Sequence, residues 1–237
     1  MREGCGTQPP EAGRQWDRMN LPPLGALREF GGWWRWLVAG LVAGGGLALA
    51  RWPLPGALPL ASALVLVWAF RSPHRTPAAA DALLAPADGV VDDIEEIAES
   101  PLLPGRLVRI GIFLSLLDVH ATRAPVDGTV ERLFAVPGGH RSALARESGT
   151  GNQRNEIWIR DPRGYLLCMR QIAGLVARRA VFAPRPGDRL LAGAVVGMIR
   201  FGSRVELYVP ASCYRIMVGC GARVRAGETV LGRCARG

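Results

Sequence analysis

Two uncharged, strongly apolar runs, Trp36 to Ala50 and Trp52 to Phe70, are separated by Arg51 alone near the start of the chain. A spanning helix needs about 20 apolar residues. The first run has 15, and the second, with 19, carries Pro53, Pro55 and Pro59, which should break it. The pattern over 32–71 therefore predicts a helical membrane anchor, built as a hairpin or re-entrant segment rather than as two full spans. Arginines crowd its outer flanks (Arg14, Arg18, Arg28 and Arg35 before, Arg71 and Arg75 after), and Trp33, Trp34, Trp36, Trp52 and Trp68 gather near the run ends. Basic flanks stay on the cytoplasmic side and tryptophan favours the bilayer interface, so both ends should face the cytoplasm. Ala48-Leu49-Ala50 resembles a signal-peptide cleavage site, but the leader is too long and a second apolar run follows at once. A core hairpin is the remaining alternative. Residues 1–31, rich in Gly, Pro and Arg, read as a disordered basic leader.

From about residue 80 the pattern changes to short apolar runs (Leu107 to Leu117, Glu156 to Ile159, Leu166 to Leu175, Val205 to Val209) punctuated by Gly, Pro and Asp, which is strand texture. Two pairs of segments look alike: Pro86-Ala87-Asp88-Gly89-Val90-Val91 with Pro125-Val126-Asp127-Gly128-Thr129-Val130, and Gly187 to Gly193 with Gly221 to Gly227. In each, glycine permits a tight turn and alternating apolar residues lead into a strand. The fold class predicted for 80–237 is mainly β (α+β), a compact barrel-sandwich-like domain of hairpins with few helices. Val136 to Asn155, polar and glycine-rich, reads as a long surface loop.

Composition narrows the chemistry. All 29 basic residues are arginine and the net charge is +9. Guanidinium forks suit phosphate, and the apolar runs favour anionic lipid over nucleic acid, although a GC-rich genome would produce the same arginine bias. Without lysine the chain cannot hold pyridoxal phosphate as an internal Schiff base, so carbonyl chemistry on an amine would need a carbonyl made from the backbone. The Gly202-Ser203 bond, within Gly197 to Pro210, can be read as a self-cleavage site that makes one. Five cysteines without a CxxC pair point away from a metal site and from a disulfide framework, and fit a reducing compartment. Three histidines can do acid or base work: His120, where an apolar strand gives way to loop, His74 beside the apolar runs, and His140 in the glycine-rich loop. Asp88 and Asp127 have an ordinary reading as turn aspartates capping their own backbone. Ser203 lacks the Gly-x-Ser-x-Gly elbow of an α/β-hydrolase.

Taken together, Pro86-Ala87-Asp88-Gly89, Phe113-Leu114-Ser115 through Asp118-Val119-His120, Arg123 to Gly128, Arg154-Asn155-Glu156, Gln171 to Arg179 and Gly197 to Pro210 resemble the phosphatidylserine decarboxylase family in its short bacterial form, over about residues 65 to 235. Leu116 stands where that family usually has proline, and Phe70-Arg71-Ser72-Pro73 lacks its acidic residue before proline. The resemblance implies a catalytic domain that cleaves itself between Gly202 and Ser203 into a β chain, 1–202, and an α chain, 203–237, with Ser203 becoming a covalent pyruvoyl group. It also implies His120 as the base, Asp88 as its orienting carboxylate, a Schiff base between the pyruvoyl ketone and the amine of phosphatidylserine, and release of carbon dioxide and phosphatidylethanolamine. No metal or pyridoxal phosphate is expected. The expected partners are phosphatidylserine, anionic membrane lipid and further copies of the two-chain unit, at the cytoplasmic face of the inner membrane. Arg123 and Arg154 are candidates for the lipid phosphate, beside the plain reading of a solvated strand edge. The rival readings are a membrane-anchored serine hydrolase using Asp88, His120 and Ser203, and a barrel-sandwich adaptor like lipoyl or biotinyl carriers, whose carrier lysine is missing here.

Overall fold

The computed structural model describes residues 33–50, 53–69, 71, 73–78, 82–99, 105–139, 151–174, 180–199 and 202–234; the leader 1–31 and His140 lie outside them. The two apolar runs form a helical hairpin, α1 (Trp33–Leu49) and α2 (Pro53–Ala69). The prolines do not break the second run. Pro53 opens α2 and Pro55 lies in its first turn, where amide hydrogens have no partner to lose, so only Pro59 removes an intrahelical bond. The helices touch closely at Gly40, where a Cβ would lie 3.1 Å from the Pro59 carbonyl oxygen and 3.4 Å from the Ala63 Cβ. Each helix has 17 residues, a rise of about 25 Å, against a hydrocarbon core of about 30 Å. Among the described residues no helix is long and apolar enough to cross a membrane.

The remainder is mainly β, with strands β1 (Ala82–Leu84), β2 (Gly89–Ile97), β3 (Leu107–Leu114), β4 (Ala121–Arg123), β5 (Gly128–Val136), β6 (Arg154–Arg160), β7 (Leu166–Ile172), β8 (Ala180–Phe182), β9 (Arg189–Leu190), β10 (Val195–Ile199), β11 (Ser203–Pro210), β12 (Tyr214–Ile216), β13 (Arg223–Val224) and β14 (Val230–Cys234). Eight of them form one curled antiparallel sheet, a half-barrel, in the order β13-β2-β3-β11-β7-β6-β5-β9. Two three-stranded sheets, β1-β14-β12 and β4-β10-β8, complete the domain.

This order is a palindrome, and the two pairs of similar sequence segments are its signature. Strands β4 to β10 repeat the plan of β1 to β3 followed by β11 to β14, so one unit is inserted within the other. Equivalent backbone bonds recur in both. The Leu84 amide donates to the Pro125 carbonyl and the Arg123 amide to the Pro86 carbonyl, each at 2.8 Å. Gly227 donates to Ala85 as Gly193 does to Ala124. The bulge between Val91 and Asp93 in β2 has its match between Val130 and Arg132 in β5. Gly193 and Gly227, both with positive φ, meet where the units cross; a Cβ on Gly227 would crowd the Gly193 Cα at 3.1 Å, and the left-handed backbone strains any other residue there.

Alternation along the strands gives the large sheet two unlike faces. One carries Ile110, Ile112, Leu114, Ile157, Ile159, Leu167, Met169, Val205, Leu207 and Val209, all buried, and the two small sheets cover it with Leu83, Val196, Ile199 and Leu231. Each such side chain contributes about 1.5–3 kcal/mol on burial. The other face is ionic. Arg204 reaches Asp92, Asp93 and Glu206; the Tyr208 hydroxyl donates to Glu206 at 2.8 Å; and Arg170 pairs with Glu156 at 2.9 Å. Cys168 lies in this layer, where burial pushes its thiol pKa well up and makes it a poor nucleophile.

Candidate active site

Ser203 opens β11 and pairs with Leu114, the last residue of β3. Alternation puts it on the aliphatic face with Val205. It is fully buried, and its Oγ has no hydrogen-bond partner among the described residues. An orphaned buried hydroxyl costs about 1–3 kcal/mol, so this position is poorly explained as packing. Gly202 precedes it at φ +66°, in the left-handed region that glycine adopts without strain.

The chain leaves β3 at Leu114 through the loop Ser115 to His120 and enters β4. Asp118 holds this loop in shape, its Oδ2 accepting the Ser115 amide at 2.8 Å and the Ser115 hydroxyl at 2.7 Å. His120 is fully buried, and its carbonyl accepts the Ile199 amide at 3.0 Å. The loop is therefore clasped at both ends by the chain that leads into β11: Leu114 by Ser203, and His120 by Ile199. Topology brings His120 and Ser203 to one end of the sheet.

Asp88 reaches the same end through β2, whose Val90 pairs with Phe113. It does not cap its own turn, as the local sequence suggests. Its Oδ1 accepts the Ala226 amide at 2.8 Å from the glycine turn after β13, and its Oδ2 forms a 2.7 Å ion pair with the buried Arg75. Asp127, its equivalent, accepts the Ala192 amide at 2.7 Å. Asp88, Arg75 and Asp118 line an open cavity of about 740 Å³ that runs to Leu64, Val65 and Trp68 of α2.

The other candidates fall elsewhere. Arg123 is buried and donates to the carbonyls of Pro73 and Gly193, both at 2.7 Å. Burial, with Arg75 close by, pushes its pKa down to about 10, which still leaves it charged at neutral pH. It ties backbone segments together and presents nothing to a ligand. Arg154 pairs with Glu156 at 3.0 Å on the ionic face. His74 is exposed at the cavity wall. The long loop expected from Val136 to Asn155 is shorter at both ends, with β5 running through Val136 and β6 starting at Arg154; its Asn152 is fully buried and donates to the Ala173 carbonyl at 2.8 Å.

Ser203 begins a strand paired antiparallel to β3, and β11 pairs antiparallel to β7 on its other side. That geometry differs from the strand-to-helix elbow of a serine hydrolase. The family profile described as phosphatidylserine decarboxylase matches residues 63–232. The chain belongs to the phosphatidylserine decarboxylase family. It is 41% identical over 212 residues to the phosphatidylserine decarboxylase proenzyme of Carboxydothermus hydrogenoformans, covering 89% of this chain and 97% of that protein. The proenzyme of Saccharopolyspora erythraea is 41% identical over 190 residues, 78% of this chain and 80% of its own. That of Mycobacterium bovis is 45% identical over 169 residues, 70% of this chain and 73% of its own.

Within this decarboxylase-family fold, several site neighbours escaped the sequence reading. Arg75 appeared only as a flanking charge. Trp68 appeared only as an interface residue, yet its indole donates to the Leu117 carbonyl at 3.0 Å and ties α2 to the loop that carries His120. Gln171 and Thr122 are joined at 2.7 Å and buried on the aliphatic face, Gln171 opposite Val205, with nothing in their local sequence to signal it. Asp118 was legible in principle, because a carboxylate three residues after a serine is the spacing of a side-chain-closed turn.

Proposed function

We propose that the protein is a self-processing, pyruvoyl-dependent phosphatidylserine decarboxylase, in keeping with its relatives' names. The observation that carries this reading is the buried Ser203 hydroxyl, without a partner among the described residues and directly after a positive-φ glycine, on the strand whose approach is clasped to the His120 loop. Maturation starts when His120 takes the Ser203 Oγ proton and the oxygen attacks the Gly202 carbonyl, moving the acyl group from nitrogen to oxygen. β-Elimination then releases the Gly202 carboxylate, and water displaces ammonia from the resulting enamine as its imine tautomer. The products are chains 1–202 and 203–237, the latter with a pyruvoyl group at its start. The site fits such a group, since the Ser203 Oγ that must attack Gly202 and leave with its carboxylate has no other bonding role among the described residues.

Once formed, that group supplies a ketone conjugated with an amide, an electron sink for the carbon that loses carbon dioxide. The surrounding aliphatic face excludes water from that carbon. His120 holds the proton that the product's α-carbon receives. Asp88 fixes Arg75 and the turn at Ala226 beside that end of the sheet. The α1–α2 hairpin rests its exposed apolar residues (Leu41, Val42, Leu58, Leu64) against the bilayer, with the domain on the arginine-rich cytoplasmic side.

The test is release of carbon dioxide from carboxyl-labelled phosphatidylserine by the purified protein, with borohydride-treated enzyme as control. Borohydride-sensitive release is expected. Release that survives reduction, or hydrolysis of an acyl ester in its place, would reject the pyruvoyl reading.

A further inference from the structure

We infer that Arg71 and Arg225 hold the phosphodiester of the lipid substrate in the cavity between α2 and the β13 turn, while Leu64, Val65, Trp68 and Leu117 pass its acyl chains toward the bilayer. This inference rests on the decarboxylase reading and adds to it the seat of the substrate.

The cavity, of about 740 Å³, has an apolar wall from α2 and Leu117, and a charged wall of Arg71, Arg75, Arg223, Arg225, Asp88, Asp118 and Glu228. Four guanidinium groups face three carboxylates, and the pairing is uneven. Arg75 is engaged by Asp88 at 2.7 Å and Glu228 at 3.6 Å. Arg223 is engaged by Asp118 at 2.6 Å. Arg225 stands 4.0 Å from Glu228, the edge of an ion pair, with its side chain 77% exposed. Arg71 has no carboxylate partner among the described residues: its guanidinium donates to the Trp68 carbonyl and lies 3.7 Å from the centre of the Trp68 ring.

The excess positive charge therefore belongs to Arg71, which lies against Trp68 of the apolar wall, and to Arg225 on the same cavity. An anion with a greasy tail fits that arrangement, and guanidinium meets a phosphodiester with two parallel hydrogen bonds. The internal repeat gives a second, independent reason. The turn Gly221 to Gly227 matches Gly187 to Gly193 residue for residue, and Leu191 stands where Arg225 does. The turn folds without an arginine there, so Arg225 owes its place to something outside the turn. The apolar wall is open, with Leu64, Trp68 and Leu117 exposed by 68%, 54% and 62%, so acyl chains need not leave the bilayer for the headgroup to enter.

The experiment uses the mature, self-cleaved enzyme and phosphatidylserine diluted in phosphatidylcholine vesicles, comparing Arg71→Ala, Arg225→Gln and the control Arg106→Ala, which lies outside the cavity on β3's approach. Arg71→Ala and Arg225→Gln should each raise KM about tenfold, the value of one charge-assisted hydrogen bond, with kcat within about twofold and self-cleavage complete by intact mass. Arg106→Ala should match the parent. Cosedimentation with the same vesicles should be unchanged in all three. Unchanged KM in both cavity variants overturns the inference. A KM rise matched by lost vesicle binding also overturns it, because the arginines would then serve only surface attraction. A parent enzyme that cleaves itself yet releases no carbon dioxide would sink the decarboxylase reading instead.

Discussion

The turn before β2 and the turn before β5 have nearly the same sequence and the same backbone. Each ends in Asp-Gly, and each aspartate accepts an alanine amide from the glycine turn of its own unit, Asp88 from Ala226 and Asp127 from Ala192. Their surroundings differ. Beside Asp127 the inserted unit closes on itself: β6 returns to β7 through the tight turn Asp161 to Tyr165, with Gly164 at φ +91°. Beside Asp88 the outer unit is held open, because the chain leaves at Ser115 to build the insertion and comes back at Ser203. Gly202-Ser203 occupies the place that Gly164-Tyr165 fills in the inserted unit, as the pairings of Ile112 with Val205 and of Ile159 with Leu167 show. An opened strand connection provides two buried crossings side by side, one carrying His120 and one carrying Ser203. A closed turn provides neither. The fold is shared between the halves, and the proposed chemistry falls where the symmetry is interrupted.

The largest predicted effect tests that interruption directly. Ser203→Ala should leave the chain uncut and activity at background, whereas Tyr165→Ala, the equivalent residue, should leave both unchanged; gel analysis and carbon dioxide release read the difference. His120→Ala should likewise yield an unprocessed chain, and normal fragments would demote His120 from base to bystander.

Smaller effects sharpen the comparison of the two aspartates. In a Ser203→Ala background, Asp88→Ala leaves the buried Arg75 charge without its closest partner and should destabilise by about 3 kcal/mol. Asp127→Ala loses an amide bond to a carboxylate and should cost about 1.5 kcal/mol. Urea titration measures both, and equal losses would mean that Arg75 contributes nothing. Smallest of all, Trp68→Phe keeps the ring but removes the indole donor to Leu117. Loss of that bond, about 1 kcal/mol, should slow turnover a few-fold by loosening the His120 loop while self-cleavage still runs to completion. Unchanged turnover would show that α2 does not position the loop.

Much of this was legible in the sequence. The strands and the two repeated segment pairs stood out locally, because turns and alternation are short-range properties, whereas Gly202, Ser203 and His120 drew their expected roles from the family resemblance. What was hidden depends on partners far along the chain. Asp88 reads as a self-capping turn residue until Ala226 and Arg75 are brought to it. Arg123 reads as a free surface charge until the carbonyls of Pro73 and Gly193 close around it. The prolines of α2 read as breakers, yet two of the three fall in the first turn, where proline costs little. The repeat itself was visible only as two similar pairs, since its strands share pairing geometry more than residues.

Intact mass of the purified protein tests the central claim most directly. The account predicts two chains, 1–202 and 203–237, the smaller lacking the mass of ammonia relative to simple hydrolysis products and resistant to amino-terminal sequencing. A single uncut chain of 25.4 kDa that decarboxylates phosphatidylserine at full rate would contradict it.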